Sequence, residues 1–575
     1  MNSFATHDVF NQSQPLTGHN LFSGNQPLRS ALALLAPQID TRRLLAFGAE
    51  LGTATMQLHA RLANQHPPQL HTHDAQGQRI DQVEFHASYH HLLGHALQHG
   101  LHGAPWAAGA ASKPAGAHIE RAAAFMLSNE LEVSVLCPVS MSYAVLPALQ
   151  ANAPLMADWG HKLTACAYDP RFVPIFQKSS ATMGMGMTEK QGGSDVRANT
   201  TRAEFEGADD WGRRYAITGH KWFFSAPMCD AFLLLAQAPA GLTCFFMPRF
   251  DLNGELNSLH IQRLKNKLGN RANASSEVEF HAARAWLVGD EGRGIAQILT
   301  MGALTRLDCA LGTAGLMRQA LGIALNHCSQ RLAFGKPLVD QPLMQNVLAD
   351  LALESEAATA LALRLAAAVD RTAYAHEQAH AQPAAGIDAG HEKIMRRLLT
   401  PVAKFWICKR GSHFAQEAME CLGGNGYVEA TGMDGSAGAM ARNYRDMPLN
   451  SIWEGAGNIM ALDLLRALRG ADVAAALEHE WSSVRGRHRA FDGAADALLL
   501  QIDGLVEEPQ ARRLARDLAL LQQAACLSAG APPAVFEAFC ASRLAQASDV
   551  FGVLPAGTDF SALIERARPA AALSS

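Results

Sequence analysis

The hydrophobic rhythm of this chain changes twice, and that change limits what it can fold into. From Leu28 to about Ala181 the apolar residues recur at helical spacing, with breaks at Pro67-Pro68, Asp74 to Gly77 and Gly109 to Gly116. Between Met183 and Gly289 the period shortens. Arg214 to Phe224, Ala231 to Gln237, Leu242 to Pro248, Leu259 to Leu264 and Ser276 to Phe280 read as strands separated by turn residues. Several short strands at this spacing predict a small β-sandwich or barrel. From Gly292 to about Leu468 helical spacing returns in long Ala/Leu-rich segments, split by a loop at Ala379 to Gly390, which predicts an antiparallel bundle. The expected class is therefore α+β and multidomain. It comprises an irregular arm over 1–30, a helical domain over 31–182, a central β-domain over 183–290, a helical bundle over 291–468, and a further helical extension over 469–575 cut at Pro532-Pro533.

A length of 575 residues exceeds one ordinary core, which agrees with this division. The formal net charge of -5 gives no whole-chain pull toward nucleic acid or an anionic membrane. Ten cysteines without metal-type spacing suit free thiols in a reducing cytoplasm. The start, Met1 to His7, carries no signal-peptide pattern. The most apolar window, Ala231 to Pro248, is interrupted by Gln237, Pro239 and Gly241, so it reads as a hairpin and no membrane span is expected. His86, His90, His91, His95, His99 and His102 crowd one helical segment. Their spacing lacks a ligand pair backed by carboxylates, so they read as solvated or satisfied helix histidines and no metal site is expected.

Four constellations carry chemistry. In Asn450 to Asn458 a single carboxylate, Glu454, is set between Trp453 and the glycines Gly455 and Gly457, just before an amphipathic helix. Glycines let a backbone approach a ligand, and a carboxylate beside an indole is partly dehydrated, which favours its use as a base. Gly184 to Asp195 is rich in small residues and hydroxyls that can present amides and Oγ atoms to a polar ring edge, yet it is neither a Walker loop nor a dinucleotide fingerprint. Lys221-Trp222-Phe223-Phe224-Ser225 puts aromatic rings on both faces of a strand, so one face can present a flat surface to a planar ligand. Arg331 to Leu338, with Phe334 between an arginine and a glycine, suits a phosphate and a stacked base, whereas Glu420 to Tyr427 could equally be a helix cap.

Together, in this order and layout, these motifs resemble the acyl-CoA dehydrogenase family of flavoproteins over roughly residues 30 to 468, and in more detail its AidB branch, which is linked to the response to DNA alkylation. Asn11-Gln12 with Pro15-Leu16, Met185 to Asp195, Gly219 to Ser225, Asn450 to Asn458 and the C-terminal extension carry the closer likeness. The resemblance implies an FAD lying between the β-domain and the second bundle. Met185, Thr188 and Ser194 would line it, with Trp222, Phe223, Phe224 and Ser225 against or near the isoalloxazine. Ile452, Trp453, Gly455, Ala456, Gly457, Asn458 and Leu462 would complete the wall. The family more commonly has threonine and asparagine where this chain has Phe224 and Ser225. Arg331, Phe334, Gly423 and Gly424 would reach the FAD of a neighbouring subunit, which implies a homotetramer; Glu420 stands where a glutamine is more usual. Glu454 matches the catalytic base that removes the α-proton of an acyl thioester. Some members place the base on an earlier helix, directly before an arginine; here that position is Thr305, before Arg306, and it has no carboxylate. The implied substrate is a short or branched acyl-CoA, and no motif identifies the electron acceptor.

In the AidB branch the C-terminal extension resembles a DNA-binding surface. Here residues 470–575 hold nine Arg, no Lys and thirteen Asp or Glu, so phosphate binding would need a clustered patch. Arg466, Arg469, Arg485, Arg487 and Arg489 are the candidates for contact with double-stranded DNA. Two rival readings stay open: a DNA-associated protective flavoprotein with little acyl-CoA turnover, and a flavin-dependent detoxifier of alkylating agents.

Overall fold

The computed structural model describes residues 6–107, 116–377, 388–429, 438–470, 472–504, 506–546 and 548–569. The first domain contains α1 (Gln26–Leu35), α2 (Arg42–Leu51), α3 (Ala54–Gln65), the hairpin β1 (Gln69–His73) and β2 (Arg79–Glu84), then α4 (Ala87–Gln98), α5 (Ala117–Asn129), α6 (Leu136–Leu149) and α7 (Ala153–Leu163). The hairpin corrects the all-helical expectation. The break at Asp74 to Gly77 is its turn, where the Asp74 carboxylate accepts from the Gln76 and Gln78 amides (2.9 and 2.8 Å). A second correction concerns the histidines. His90, His91 and His102 are occupied by neighbours, but α2 brings Glu50 to His95 and His99, a carboxylate that spacing along α4 could not reveal.

The middle domain has seven strands, β3 (Met183–Thr188), β4 (Arg202–Asp209), β5 (Gly212–Ser225), β6 (Ala231–Ala238), β7 (Gly241–Pro248), β8 (Leu259–Leu264) and β9 (Ser275–Leu287). Five of them close a circuit. β5 pairs with β3, β3 runs parallel to β6, β6 pairs with β7, β7 with β9, and β9 returns to β5. Closure removes most of the sheet's edges; β4 also sits in the wall, paired with β5 and, at Arg202, with β6, while β8 extends the sheet from β9. Phe224 packs against Phe232, and Phe245 against Tyr215, on the inner face, while Phe246 and Trp286, turned the other way, pack against Trp211, and Phe246 also against Trp159 of α7. β3 covers the start of the small-residue stretch, whose Gly-Met alternation has little strand propensity; pairing to β5 on one side and β6 on the other overrides that.

The second bundle is built from α8 (Gly294–Gln330), the two-residue strands β10 (Leu332–Ala333) and β11 (Lys336–Pro337), α9 (Pro342–Glu377), α10 (Ala389–Glu420), α11 (Gly424–Tyr427), α12 (Ala439–Asp446) and α13 (Gly457–Leu468). Most of the loop expected at Ala379 to Gly390, of the Gly109 to Gly116 break and of the glycine-rich Gly432 to Ala439 lies outside the described residues. The extension adds α14 (Val473–Trp481), α15 (Arg489–Asp503), α16 (Ala511–Gly530), α17 (Pro533–Phe539) and α18 (Phe560–Ala567). It is bound to the bundle by ions as well as apolar packing. Arg543 pairs with Asp350 and with Glu354 (3.1 Å), Arg566 with Glu356 (2.7 Å), and the Gly552 amide donates to Asp350 (2.9 Å). All three carboxylates lie on α9 and are buried. All ten cysteines are free thiols, and among the described residues no helix is long and apolar enough to cross a membrane.

Candidate active site at the junction of the three domains

The backbone sets up the site at Glu454. After the 3-10 turn Met447–Ser451, Glu454 and Gly455 adopt consecutive left-handed conformations, with φ of 58° and 98°. A non-glycine residue there costs about 1 kcal/mol, which packing must over-determine. The main chain of this turn is pinned from both sides. Arg306 Nε of α8 donates to the Glu454 carbonyl (3.0 Å), and Lys404 Nζ of α10 donates to the Gly455 carbonyl (2.6 Å). Arg306 is itself fixed by Asp463 of α13 (3.0 Å), which also pairs with Arg397 (2.7 Å).

With the turn fixed, the side chain is placed. Thr305 Oγ1 donates to Glu454 Oε2 at 2.6 Å, while Oε1 has no partner among the described residues. Glu454 and Trp453 line a small cavity of about 60 Å³ together with Phe125, Leu136, Cys137 and Ser225. Those residues come from the first helical domain, the barrel and the second bundle, so the cavity sits where all three meet. Trp453 Nε1 donates to Asn450 Oδ1 (2.9 Å), and Asn450 Nδ2 donates to Thr313 (3.1 Å), which locks the indole. Burial pushes the Cys137 thiol up to about 12, so it stays protonated. Asp446, also in the cavity wall, is pushed by burial up to about 6 and accepts from the Asn270 amide (2.6 Å).

The barrel reaches the cavity through Ser225 at the end of β5. The β3–β5 register sets Met185 beside Ser225 and Thr188 beside Phe223. Phe223 is 50% exposed and Ile452 62%, which leaves apolar faces open. Asn270, which lines the Glu454 cavity with Ser225, has its Oδ1 buried without a partner, as are both side-chain atoms of Asn273. Apolar faces together with orphaned polar groups fit a flat ring system with a polar edge, as a flavin is. The loop from Thr188 to Ser194 is anchored beneath by a fully buried pair, Lys221 Nζ to Glu189 Oε1 (3.0 Å). Burial opposes ionisation of Glu189, but Lys221 and the Thr200 amide outweigh it and hold the carboxyl down at about 2. Ser194 is exposed.

Other residues fall differently. Phe224 is a correction: strand alternation turns its ring inward against Phe232 and Phe280, wholly buried, so no face of the ring is open to a ligand. Trp222 is half-buried and its ring is covered by the Lys265 ammonium, 3.4 Å from the centroid. Gly457 and Asn458 open α13, Asn458 takes a hydrogen bond from Arg512 (2.9 Å), Ala456 is exposed, and Leu462 is half-buried on the same helix. Arg331, Phe334, Gly423 and Gly424 gather elsewhere, around the N-terminal arm. Arg331 donates to the Asn11 carbonyl, Leu332 and Asn11 exchange hydrogen bonds, and Phe334 is 98% exposed. Gly423, at φ 57°, and Gly424 have open space where a side chain would be. The arm lines a larger cavity of about 330 Å³ that shares no lining residue with the one at Glu454. Sequence reasoning passed over Cys137, Asn270 and Asn273, which no spacing pattern marks.

Of the five arginines expected as a patch, two are spent inside the extension. Arg485 pairs with Asp496 (2.7 Å), and Arg487 donates to Ser528 Oγ (2.6 Å). Arg466, Arg469 and Arg489 are exposed and make no side-chain hydrogen bond or ion pair among the described residues.

This barrel between two helical units, with a carboxylate at their junction, defines the acyl-CoA dehydrogenase class. Residues 184–283 match the family's middle domain and 292–469 its C-terminal domain, while 11–170 match the N-terminal domain of the adaptive response protein AidB. The chain belongs to the acyl-CoA dehydrogenase family, in its AidB branch. It is 45% identical to Escherichia coli (strain K12) AidB over 93% of this chain and 94% of that one. It is 29% identical to acyl-CoA dehydrogenase family member 11 of Caenorhabditis elegans, over 82% of this chain and 74% of the relative. The crystal structure of Caenorhabditis elegans ACDH-11 in complex with C11-CoA superimposes with a TM-score of 0.79 at 25% identity, covering 95% of each chain.

Proposed function

We propose that this protein is an FAD-dependent oxidoreductase of acyl-CoA dehydrogenase type, acting on the CH–CH bond next to the thioester of a short or branched acyl-CoA. The observation that carries the reading is Glu454: a carboxylate with one oxygen held by Thr305 and the other free, at the wall of a small cavity between the three domains. FAD, when bound, supplies the hydride acceptor. Glu454 takes the α-proton on Oε1, and the pinned turn keeps that oxygen in place, so little reorganisation is needed during transfer.

Met185, Thr188, Ser194, Phe223 and Ser225 would hold the flavin from the barrel side, with Trp222 at the rim. Ile452, Trp453 and Gly455 to Asn458, with Leu462, would hold it from the bundle side. The exposure of Phe334 and the open space at Gly423 and Gly424 support contact with the FAD of a second subunit and hence a homotetramer. Free thiols support a cytoplasmic setting. A second reading, association with double-stranded DNA in a response to alkylation, is favoured by the unpaired Arg466, Arg469 and Arg489 and by the likeness to AidB.

The test is anaerobic titration of the purified yellow protein with short, branched and long acyl-CoA thioesters, followed by flavin absorbance. Bleaching by short or branched thioesters is the expected result. No bleaching by any of them, in protein that retains FAD, would move the function to the DNA-associated or detoxifying reading.

A further inference from the structure

We propose that Glu50, His95 and His99 form a binding site for a divalent transition cation of the zinc type, joining α2 to α4. His95 and His99 are four residues apart on α4, so their rings share one helix face. Glu50, near the end of α2, reaches across to both. His95 Nε2 lies 2.8 Å and His99 Nε2 3.0 Å from the same oxygen, Glu50 Oε2. One ligand atom from each of the three residues lies within 4.8 Å of the others.

Zinc bonds imidazole nitrogen and carboxylate oxygen at about 2.0–2.2 Å, so tetrahedral donors stand about 3.3 Å apart. The two observed contacts need open by only a few tenths of an ångström to admit the ion. Two imidazoles with a single carboxylate select zinc-like cations over calcium or magnesium, which take oxygen ligands. The buried Phe47 ring stacks on His95 (5.2 Å between centroids) and lies 4.6 Å from His99, fixing both rings and walling one flank from water. The opposite flank is open. Side-chain exposures of 15%, 35% and 49% for His95, His99 and Glu50 leave an entry path and room for a water as fourth ligand.

Neighbouring histidines do not compete for the ion. His91, one turn earlier, stacks on His59 at 4.0 Å, and His102 Nε2 is bonded to the Ala165 carbonyl (3.1 Å). The cation would act as a cross-link. α4 packs on α6, whose Leu136 and Cys137 line the Glu454 cavity, so the ion would brace the wall of the first domain without touching the reacting groups.

Chelator-treated holoprotein is titrated with zinc chloride by calorimetry, and its melting temperature is followed. The expected result is one equivalent per chain and a rise in melting temperature with zinc. Glu50→Gln and His99→Gln, both at partly exposed positions, should each weaken binding at least tenfold and cancel the thermal shift. His71→Gln, on the β1 strand, should leave both unchanged. Zinc anomalous scattering from soaked crystals of the unaltered chain supplies an independent reading, with a peak expected between the three side chains. No stoichiometric uptake, wild-type affinity in both variants, or a zinc peak only at other residues would each overturn the proposal.

Discussion

Thr305 and Glu454, 149 residues apart in the chain, are joined by a hydrogen bond of 2.6 Å from the threonine hydroxyl to the carboxylate. Thr305 occupies the position that, by resemblance, carries the base in other branches of the family. In this chain the earlier helix supplies a hydroxyl that orients Glu454, the proposed base.

Removing that hydroxyl should slow the chemical step while leaving the cavity intact. A hydrogen bond to a charged group contributes roughly 1.5 kcal/mol or more, so Thr305→Ala should reduce the rate of flavin reduction about tenfold. Stopped-flow reduction at saturating thioester separates this from a binding effect. Thr305→Ser, which keeps the hydroxyl, should retain most of the rate.

Glu454→Gln should hold FAD and abolish reduction by acyl-CoA. The amide cannot take the α-proton, yet it still bonds Thr305. Absorbance spectra of the purified variant report the flavin, and the thioester titration reports the chemistry. Loss of the flavin itself would mean that the residue serves cofactor binding.

The Lys221–Glu189 pair is wholly buried, so breaking it is costly whatever the net contribution of the pair. Lys221→Met leaves a desolvated carboxylate under the Thr188 to Ser194 loop and should destabilise the protein by about 3–5 kcal/mol. Flavin release on heating should fall to a lower temperature together with unfolding.

Asp446 gives a pH dependence with a defined sign. Burial raises its folded pKa from 3.8 to about 6. Its contribution is therefore fully present below about pH 3.8 and is lost as pH rises toward 6, because the unfolded chain ionises first. The total change is on the order of 3 kcal/mol. Asp446→Asn keeps an acceptor for the Asn270 amide and removes the titration. The stability difference between variant and parent, from urea unfolding at several pH values, should grow from pH 4 to 6 and then level off.

On the DNA reading, only unpaired guanidiniums can neutralise phosphates. Arg466→Ala, Arg469→Ala and Arg489→Ala should each lower the slope of log affinity against log salt by about 0.9. Arg485→Ala and Arg487→Ala should change stability more than the slope. Fluorescence anisotropy with duplex DNA at several salt concentrations distinguishes the two groups.

How much of this was legible in the sequence depends on how far each feature reaches along the chain. The long bundle helices and the strands β5 to β9 announce themselves through period and β-branched or aromatic content. β1 and β2 do not, because a half-exposed hairpin of Gln, His, Thr, Arg and Asp has no apolar alternation to show. The three aromatics from Trp222 to Phe224 predicted rings on both faces of a strand. Which ring stays exposed is decided by the barrel's closure, which buries Phe224 and leaves Phe223 open. Glu454 stood out beside its glycines. Thr305, Lys404 and Arg306, which hold it, come from helices distant in sequence and could be placed only once those helices were packed.

Three buried carboxylates of α9, those that face the extension, change how the last hundred residues should be regarded. Asp350, Glu354 and Glu356 depend on Arg543 and Arg566 from beyond residue 540, with Arg410 of α10 as a further partner of Glu354. A chain ending after α13 would keep those acids and lose most of their cations. The extension is thus a counter-ion shell for the bundle and cannot be cut away as an accessory. A shortened version could recover a stable bundle only by making α9 apolar where it is now acidic.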